Sequence, residues 1–225
     1  MFRIYCSRSI NQYISIFKTC MPLQVSKSFF KNINLSIWNI DESEDFFLSQ
    51  INLTENCKKR LELIKSPQKR NQFLSVRSLI KLNDVQLNDL YYDEFGAPYL
   101  KSNKYISISH TNNFSAIAIS NNPVGVDIEH YREKIKKIKH KFINHAETKL
   151  IDINSVRDLT LLWTVKESIY KLYKKQGLSF KNNIKIKSVS DDFKNCSILV
   201  EDLDKKSFFN SENIIHSDYI CSIVK

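Results

Sequence analysis

Glycine is nearly absent from this chain: three residues in 225, Gly96, Gly125 and Gly177. A Walker loop or a G-x-G-x-x-G fingerprint needs glycines close together, so that backbone N–H groups can close on a phosphate. Three glycines this far apart exclude both. A chain that handles nucleotides without them must use side chains and a metal. Cysteine is sparse and scattered, at Cys6, Cys20, Cys57, Cys196 and Cys221. The odd number and the lack of any C-x-x-C pair argue against a zinc site or a disulfide framework, and a reducing cytoplasm is the expected compartment. No run of eighteen apolar residues occurs, so no membrane span is expected. Acid is scarce where base is dense: residues 130–187 hold 15 Lys/Arg against 5 Asp/Glu, while residues 188–225 hold 4 against 7. The whole chain is +10. Such a local field suits nucleic acid, an acidic protein or a phosphorylated small molecule, and equally a solvated lysine face.

What is present is a globular composition, with 42% hydrophobic and 26% charged residues, enough apolar side chain to offset the entropy of ordering the backbone. The length allows one large domain or two small ones. Residues 1–20 are basic and free of acid, without a clean strand or helix pattern. We expect them to be a disordered or mis-assigned extension, with Met21 the natural start. Ile33–Ile40 reads as a strand, and Asp41–Phe47 opens a helix with acids in its first turn. Ser66-Pro67 is a helix start, serine as cap and proline at the first helical position. The helix runs to about Leu82, with Phe73, Val76, Leu79 and Ile80 at core spacing. Tyr91–Pro98 reads as a turn-rich connection. Strands follow at Tyr105–Ser109, Phe114–Ile119 and Val124–Glu129, then a basic helical stretch. A long helix from about Ser155 to Gln176 is expected to be capped by Gly177. Asn183–Ser188, Cys196–Glu201 and Asp218–Val224 close the chain as strands. Helix and mostly antiparallel strand in both halves predict an α+β fold.

Three constellations carry chemistry. In Val124-Gly125-Val126-Asp127-Ile128-Glu129, strand alternation puts Gly125, Asp127 and Glu129 on one face. Two carboxylates that close raise each other's pKa unless a cation lies between them, and hard oxygen donors suit Mg²⁺. Gly125 is expected to leave room beside them; a polar face in plain solvent fits the same pattern. In Trp163-Thr164-Val165-Lys166-Glu167-Ser168-Ile169-Tyr170-Lys171, Trp163, Glu167 and Lys171 recur four apart and share one helix stripe. Glu167 and Lys171 would also make an ordinary helix ion pair. In Ser107-Ile108-Ser109-His110-Thr111, hydroxyls and an imidazole at a strand end can meet a phosphate. A Ser–His hydrolase pair is disfavoured, because adjacent strand residues point to opposite faces.

The order G-V-D-I-E followed by W-T-V-K-E-S-I-Y-K resembles the paired signature of the 4′-phosphopantetheinyl transferases, closest to the large surfactin-type enzymes with two similar halves in one chain. Gly125, Asp127, Trp163, Thr164, Lys166, Glu167, Ser168 and Lys171 fit that signature. Ile106–Thr111 is similar to the family's N-I-S-H-S/T segment, Gly96-Ala97-Pro98 to its G-K-P loop, and Lys141-Phe142 with Glu147 to an element between the signatures. The chain departs from the pattern at Ala97, where lysine is usual, and matches the family's basic first helix only loosely, at Arg70 and Arg77.

The resemblance implies two pseudo-symmetric subdomains, 21–122 and 123–225, each a small, mostly antiparallel sheet packed with a long helix. It implies Mg²⁺-dependent transfer of phosphopantetheine from coenzyme A to a serine of an acidic acyl or peptidyl carrier protein, by a cytoplasmic monomer that engages neither nucleic acid nor membrane. Asp127, Glu129 and Glu167 would hold the metal. Glu167 would also be the general base, and Lys171 with Lys166 would stabilise phosphate charge. Ser109, His110, Thr111, Gly96, Pro98, Arg70 and Arg77 would contact coenzyme A, with Lys101, Lys104 or Arg77 filling the place of the lysine missing at 97. The rivals are a metal-dependent nuclease and a basic nucleic-acid-binding module. Nuclease E-x-K elements usually have one intervening residue, on a strand, whereas Glu167 and Lys171 have three between them, on a helix. Charge alone gives a nucleic-acid module no reason for paired carboxylates.

Overall fold

The computed structural model describes residues 23–203 and 205–225; the expectation for residues 1–20 falls outside them. Two antiparallel sheets carry the molecule. The first has the order β1 (Leu23–Phe29), β2 (Ile33–Asn39), β6 (Phe114–Ser120), β5 (Tyr105–Thr111). The second has the order β7 (Gly125–His130), β11 (Tyr219–Val224), β10 (Lys205–Ile215), β9 (Asn195–Asp202), β8 (Ile184–Val189). Short helices α1 (Glu44–Gln50) and α2 (Glu55–Glu62) precede the long α3 (Pro67–Leu82). In the second half α4 (Lys134–Ile138) precedes the long α5 (Val156–Tyr173).

Capping residues set where the long helices begin. Ser66 accepts from the Lys69 backbone N–H, with Pro67 directly behind it, and Ser155 accepts from that of Asp158. Each hydroxyl satisfies a donor that the first turn leaves orphaned. The C-terminal cap of α5 is not at Gly177. Lys174 takes the left-handed conformation there, φ 50°, and its N–H returns to the Tyr170 carbonyl. Gly177, φ 79°, sits in the turn beyond.

Side-chain alternation sorts the apolar residues into three cores. Ile117 and Ile119 of β6 join Trp38 and the α3 residues Leu74, Leu79 and Ile80. Ala116 and Ala118, on the opposite face of the same strand, join Leu35 and Ile37 of β2, Val126 and Ile128 of β7, and Cys221 and Ile223 of β11. Ile220 and Val224, on the other face of β11, join Leu159, Leu162, Val165 and Ile169 of α5. The layers therefore run α3, first sheet, second sheet, α5. Each fully buried aliphatic contributes about 1.5–3 kcal/mol, so the middle core holds the two sheets together.

The sheets also meet at their end strands. The N–H groups of Val126 and Ile128 on β7 donate to the Ser107 and Ser109 hydroxyls of β5, at 2.9 and 3.3 Å. Serine side chains stand in for a strand, satisfying an edge that would otherwise be orphaned.

Three further features differ from the sequence reading. Tyr91–Pro98 lies within a small hairpin, β3 (Leu90–Tyr92) against β4 (Pro98–Leu100). β1, which alternates except at Lys27, and β10, which has no clean alternation, lie outside the expected strands. β10 pairs with β9 from Lys205 to Glu212 while much of its first half faces solvent, so burial does not dictate its residue types there.

Candidate active site

β7 turns Gly125, Asp127 and Glu129 toward α5, and the reason lies at Gly125. A Cβ there would stand 1.9 Å from the Ser168 carbonyl oxygen and 3.0 Å from the Leu172 Cβ. The missing side chain lets helix and strand backbones touch; it is not space for a ligand, as the sequence reading had it. Ser168 seats the helix further, its hydroxyl donating to the Ser222 carbonyl of β11 at 2.8 Å.

That close approach brings one stripe of α5 over the two carboxylates. Lys171 donates to Asp127 Oδ1 at 2.6 Å, so it pairs across to the strand. The Ser109 hydroxyl donates to the same oxygen at 2.7 Å. Asp127 is 3% exposed, and its Oδ2 is buried without a hydrogen-bond partner among the described residues. Glu129 accepts from the Thr111 hydroxyl at 3.2 Å. Burial and then the Asp127 charge push its pKa up, against the Thr111 bond, Arg132 and Trp163. Glu167 is pushed up to about 7, first by burial, then by Asp127, with Glu129 adding and Lys171 opposing. Three carboxyl groups thus share one field with a single lysine among them. Such a cluster holds a proton near neutrality or calls for a cation.

The donor set is all hard oxygen, and the orphaned Oδ2 of Asp127 is a free ligand position, so these residues fit a divalent cation of the magnesium type. Among the described residues no three His, Cys, Asp or Glu side chains are already gathered into a ligating group. The three carboxylates are an open cluster rather than a closed cage.

His110 stands beside them. Burial lowers its pKa although more than a third of the residue reaches solvent; Lys171 and Lys69 push the same way and Asp127 opposes. His110 thus lies in the field of both lysines and of Asp127.

Several expected roles do not survive the geometry. Lys166 points away from Glu167. It is fully buried, and its ammonium donates to the Phe142 carbonyl at 2.6 Å, the Phe180 carbonyl at 2.8 Å and Glu147 at 2.9 Å. All three donors are spent on structure, and one residue along a helix is a turn of about 100°. Arg70 is likewise committed, to Glu44 at 2.6 Å and to the Leu61 and Ile64 carbonyls. Arg77 is buried in the first half, bonded to Phe73 and Tyr92. Ser109 and Thr111 spend their hydroxyl protons on Asp127 and Glu129, so they orient the carboxylates rather than wait for a phosphate.

Gly96, at φ 82°, closes the turn of the β3–β4 hairpin, and Pro98 opens β4. The cation there was not foreseen: Lys174, whose ammonium donates to the Pro98 carbonyl at 3.0 Å and lies 3.5 Å from the Tyr99 ring centroid. A cavity of about 380 Å³ opens between Lys174, Lys104 and the Pro98–Ile106 segment. Arg132, which donates to the Thr111 hydroxyl at 3.1 Å, was also missed. Only the left-handed cap at 174 and the hairpin at 90–100 bring Lys174 to this loop.

Residues 123–224 match the family model of the 4′-phosphopantetheinyl transferase superfamily. The chain is 30% identical over 106 residues to the 4′-phosphopantetheinyl transferase gsp of Aneurinibacillus migulanus. That match covers 44% of this chain and 45% of the relative, so the chain is matched to about half the length of that protein.

Proposed function

We propose that this protein transfers 4′-phosphopantetheine from coenzyme A to a serine hydroxyl of an acyl or peptidyl carrier protein. The observation that carries this is the cluster of Asp127, Glu129 and Glu167 with Lys171 between strand and helix. Asp127, Glu129 and Glu167 would hold Mg²⁺, which when bound gathers the negative charge of the diphosphate. Glu167, poised near neutrality, accepts the proton of the attacking hydroxyl, directly or through a water. Lys171, which is paired with Asp127, would stabilise charge as the bond to the leaving group lengthens. Ser109 and Thr111 fix the carboxylates, and His110 with Lys69 receives the outer phosphates. Lys174 takes the place of the lysine that Ala97 lacks, because its ammonium already lies on this loop. The leaving group is adenosine 3′,5′-bisphosphate, and no covalent enzyme intermediate is needed.

The two sheets with their long helices support a division at about residue 122, the cleft lying between units 21–122 and 123–225 of a single subunit. The positive segment 130–187 favours an acidic carrier. No helix among the described residues is long and apolar enough to cross a membrane, and Cys57, Cys196 and Cys221 are free thiols, which fits action in the cytoplasm. The test is mass spectrometry of a panel of purified apo carriers with coenzyme A and Mg²⁺. A phosphopantetheine mass gain on the carrier serine is expected. It should be lost in Asp127→Ala and Glu167→Ala proteins that keep wild-type circular dichroism. Near wild-type turnover in either, at saturating Mg²⁺, overturns the assignment.

A further inference from the structure

Lys166 and Lys171 lie on one helix and are held in opposite ways. Lys166 spends its ammonium on three acceptors in a dry core. Lys171 has one hydrogen-bond partner among the described residues, Asp127 Oδ1 at 2.6 Å. An ammonium carries three donors, so the others are left to water. The side chain of Lys171 is 27% exposed and that of Asp127 5%. The acid is fixed inside the site, and the base reaches it from the mouth. We propose that Lys171 is the resident cation of the carboxylate cluster whenever no metal is bound, and that a divalent cation enters by displacing its ammonium from Asp127. This rests on the reading of Asp127, Glu129 and Glu167 as a magnesium site and does not need the transfer reaction.

Charge is the first reason. Glu129 and Glu167 both lie in the field of Asp127, and buried like charges repel unless a cation lies among them. Among the described residues Lys171 is the cation in direct ion pair with the cluster, and its charge reaches Glu167 as well. The second reason is how Asp127 is used. Oδ1 holds Lys171 and the Ser109 hydroxyl, at 2.6 and 2.7 Å, while the buried Oδ2 has no partner among the described residues. A divalent cation taken up by Oδ2 would share one small carboxylate with the ammonium on Oδ1. Two cations at that range, partly shielded from water, repel strongly.

The third reason is that Lys171 can leave without damage. Ser109 still donates to Oδ1, so no buried acceptor is stranded. The lysine stem is flexible and its head already reaches solvent, unlike the three-way anchorage of Lys166. An ammonium released from Asp127 is then left facing whatever anion the metal attracts. Metal and diphosphate therefore favour each other's binding, and such coupling is reciprocal. Lys171 keeps the carboxylates neutralised beforehand, at the expense of metal affinity in the absence of the diphosphate.

Calorimetry of the full chain with Mg²⁺, without coenzyme A and at constant ionic strength, tests this. Lys171→Met keeps the apolar stem and removes the charge, and should bind Mg²⁺ about tenfold more tightly than the wild type. Lys171→Arg restores the charge and should bind it no more tightly than the wild type. Lys69→Met removes a positive charge that acts on His110 without pairing to Asp127, and should change the affinity much less. Circular dichroism checks that each variant is folded. A second measurement needs only the wild type: acetylation by acetic anhydride, mapped by mass spectrometry, should reach Lys171 several-fold faster in Mg²⁺ than in EDTA, with Lys58 of α2 unchanged. Equal Mg²⁺ affinity in wild type and Lys171→Met, equal tightening in Lys69→Met, or Lys171 acetylation indifferent to Mg²⁺ overturns the proposal and leaves the metal site standing. If neither the wild type nor Lys171→Met binds Mg²⁺, the metal reading falls with it. Neither measurement involves a carrier, so failure of the transferase reading shows separately, as an unmodified carrier panel.

Discussion

Glu167 and Lys166 are adjacent in the chain and opposite in consequence. The Glu167 pKa is raised from an ordinary carboxylate value to about 7. Between those two values the folded protein holds a proton that the unfolded chain has released. Its contribution to stability is therefore complete at acid pH and is lost as pH rises through about 7, roughly 3 kcal/mol in all. Thermal unfolding in EDTA should show the wild type losing stability from pH 5 to pH 8, and Glu167→Gln should flatten that slope. Mg²⁺ should restore stability at pH 8 in the wild type and less in the variant; an unchanged slope in Glu167→Gln would remove the residue from the charged cluster. Lys166 belongs to the fold instead. Lys166→Met leaves Glu147 charged in a dry core with only the Asn144 and Ile186 backbone N–H groups for company, a loss of about 3–5 kcal/mol. Lys171→Ala should weigh the other way, with turnover abolished and a smaller loss of stability, because Lys171 is partly exposed and water can reach its place beside Asp127. Equal stability losses in the two variants, measured by urea unfolding, would contradict the assignment.

The contact between α5 and β7 is set by what Gly125 does not have. Gly125→Ala places a methyl group 1.9 Å from the Ser168 carbonyl, backbone against backbone, with no side-chain end to swing aside. The helix must lift or slide, so Glu167 and Lys171 shift relative to Asp127. Overpacking of this kind costs about 1–3 kcal/mol, and turnover should fall further than that loss of stability explains. An alanine variant with wild-type melting temperature and rate would show that helix and strand are not locked at this point. The serine seam works on the same principle from the other side: Ser109 both satisfies the Ile128 N–H and donates to Asp127, so joining the sheets and aiming a carboxylate are one interaction.

For the molecule as a whole, charge is distributed by region. The net positive segment 130–187 includes α4 and α5, so the field of the second half lies around the carboxylate site. Docking of an acidic carrier should slow steeply as salt rises from 50 to 500 mM, because the Debye length falls from about 14 Å toward 4 Å over that range. The maximal rate at saturating carrier should move much less. A salt-independent apparent Michaelis constant for the carrier, in steady-state assays, would count against electrostatic docking.

Local rules carried much of this fold and site. Ser66-Pro67 and Ser155 open helices because a serine cap is a property of four consecutive residues. Asp127 with Glu129, and Glu167 with Lys171, share faces because periods of 2 and 3.6 are properties of the backbone. What local rules could not supply was which face met which partner. Lys166 and Glu167 are both charged residues on one helix, and only the packing of α5 sends one into Phe142, Phe180 and Glu147 and the other toward Asp127. Arg70 and Arg77 read as free cations until α1 delivered Glu44 to one and the β3 hairpin delivered Tyr92 to the other. Lys174 was silent in sequence, because a left-handed lysine cap and a loop 76 residues earlier meet only when both halves are folded. Burial and long-range pairing are properties of the packed chain, and they decided which charges are structure and which are left for chemistry.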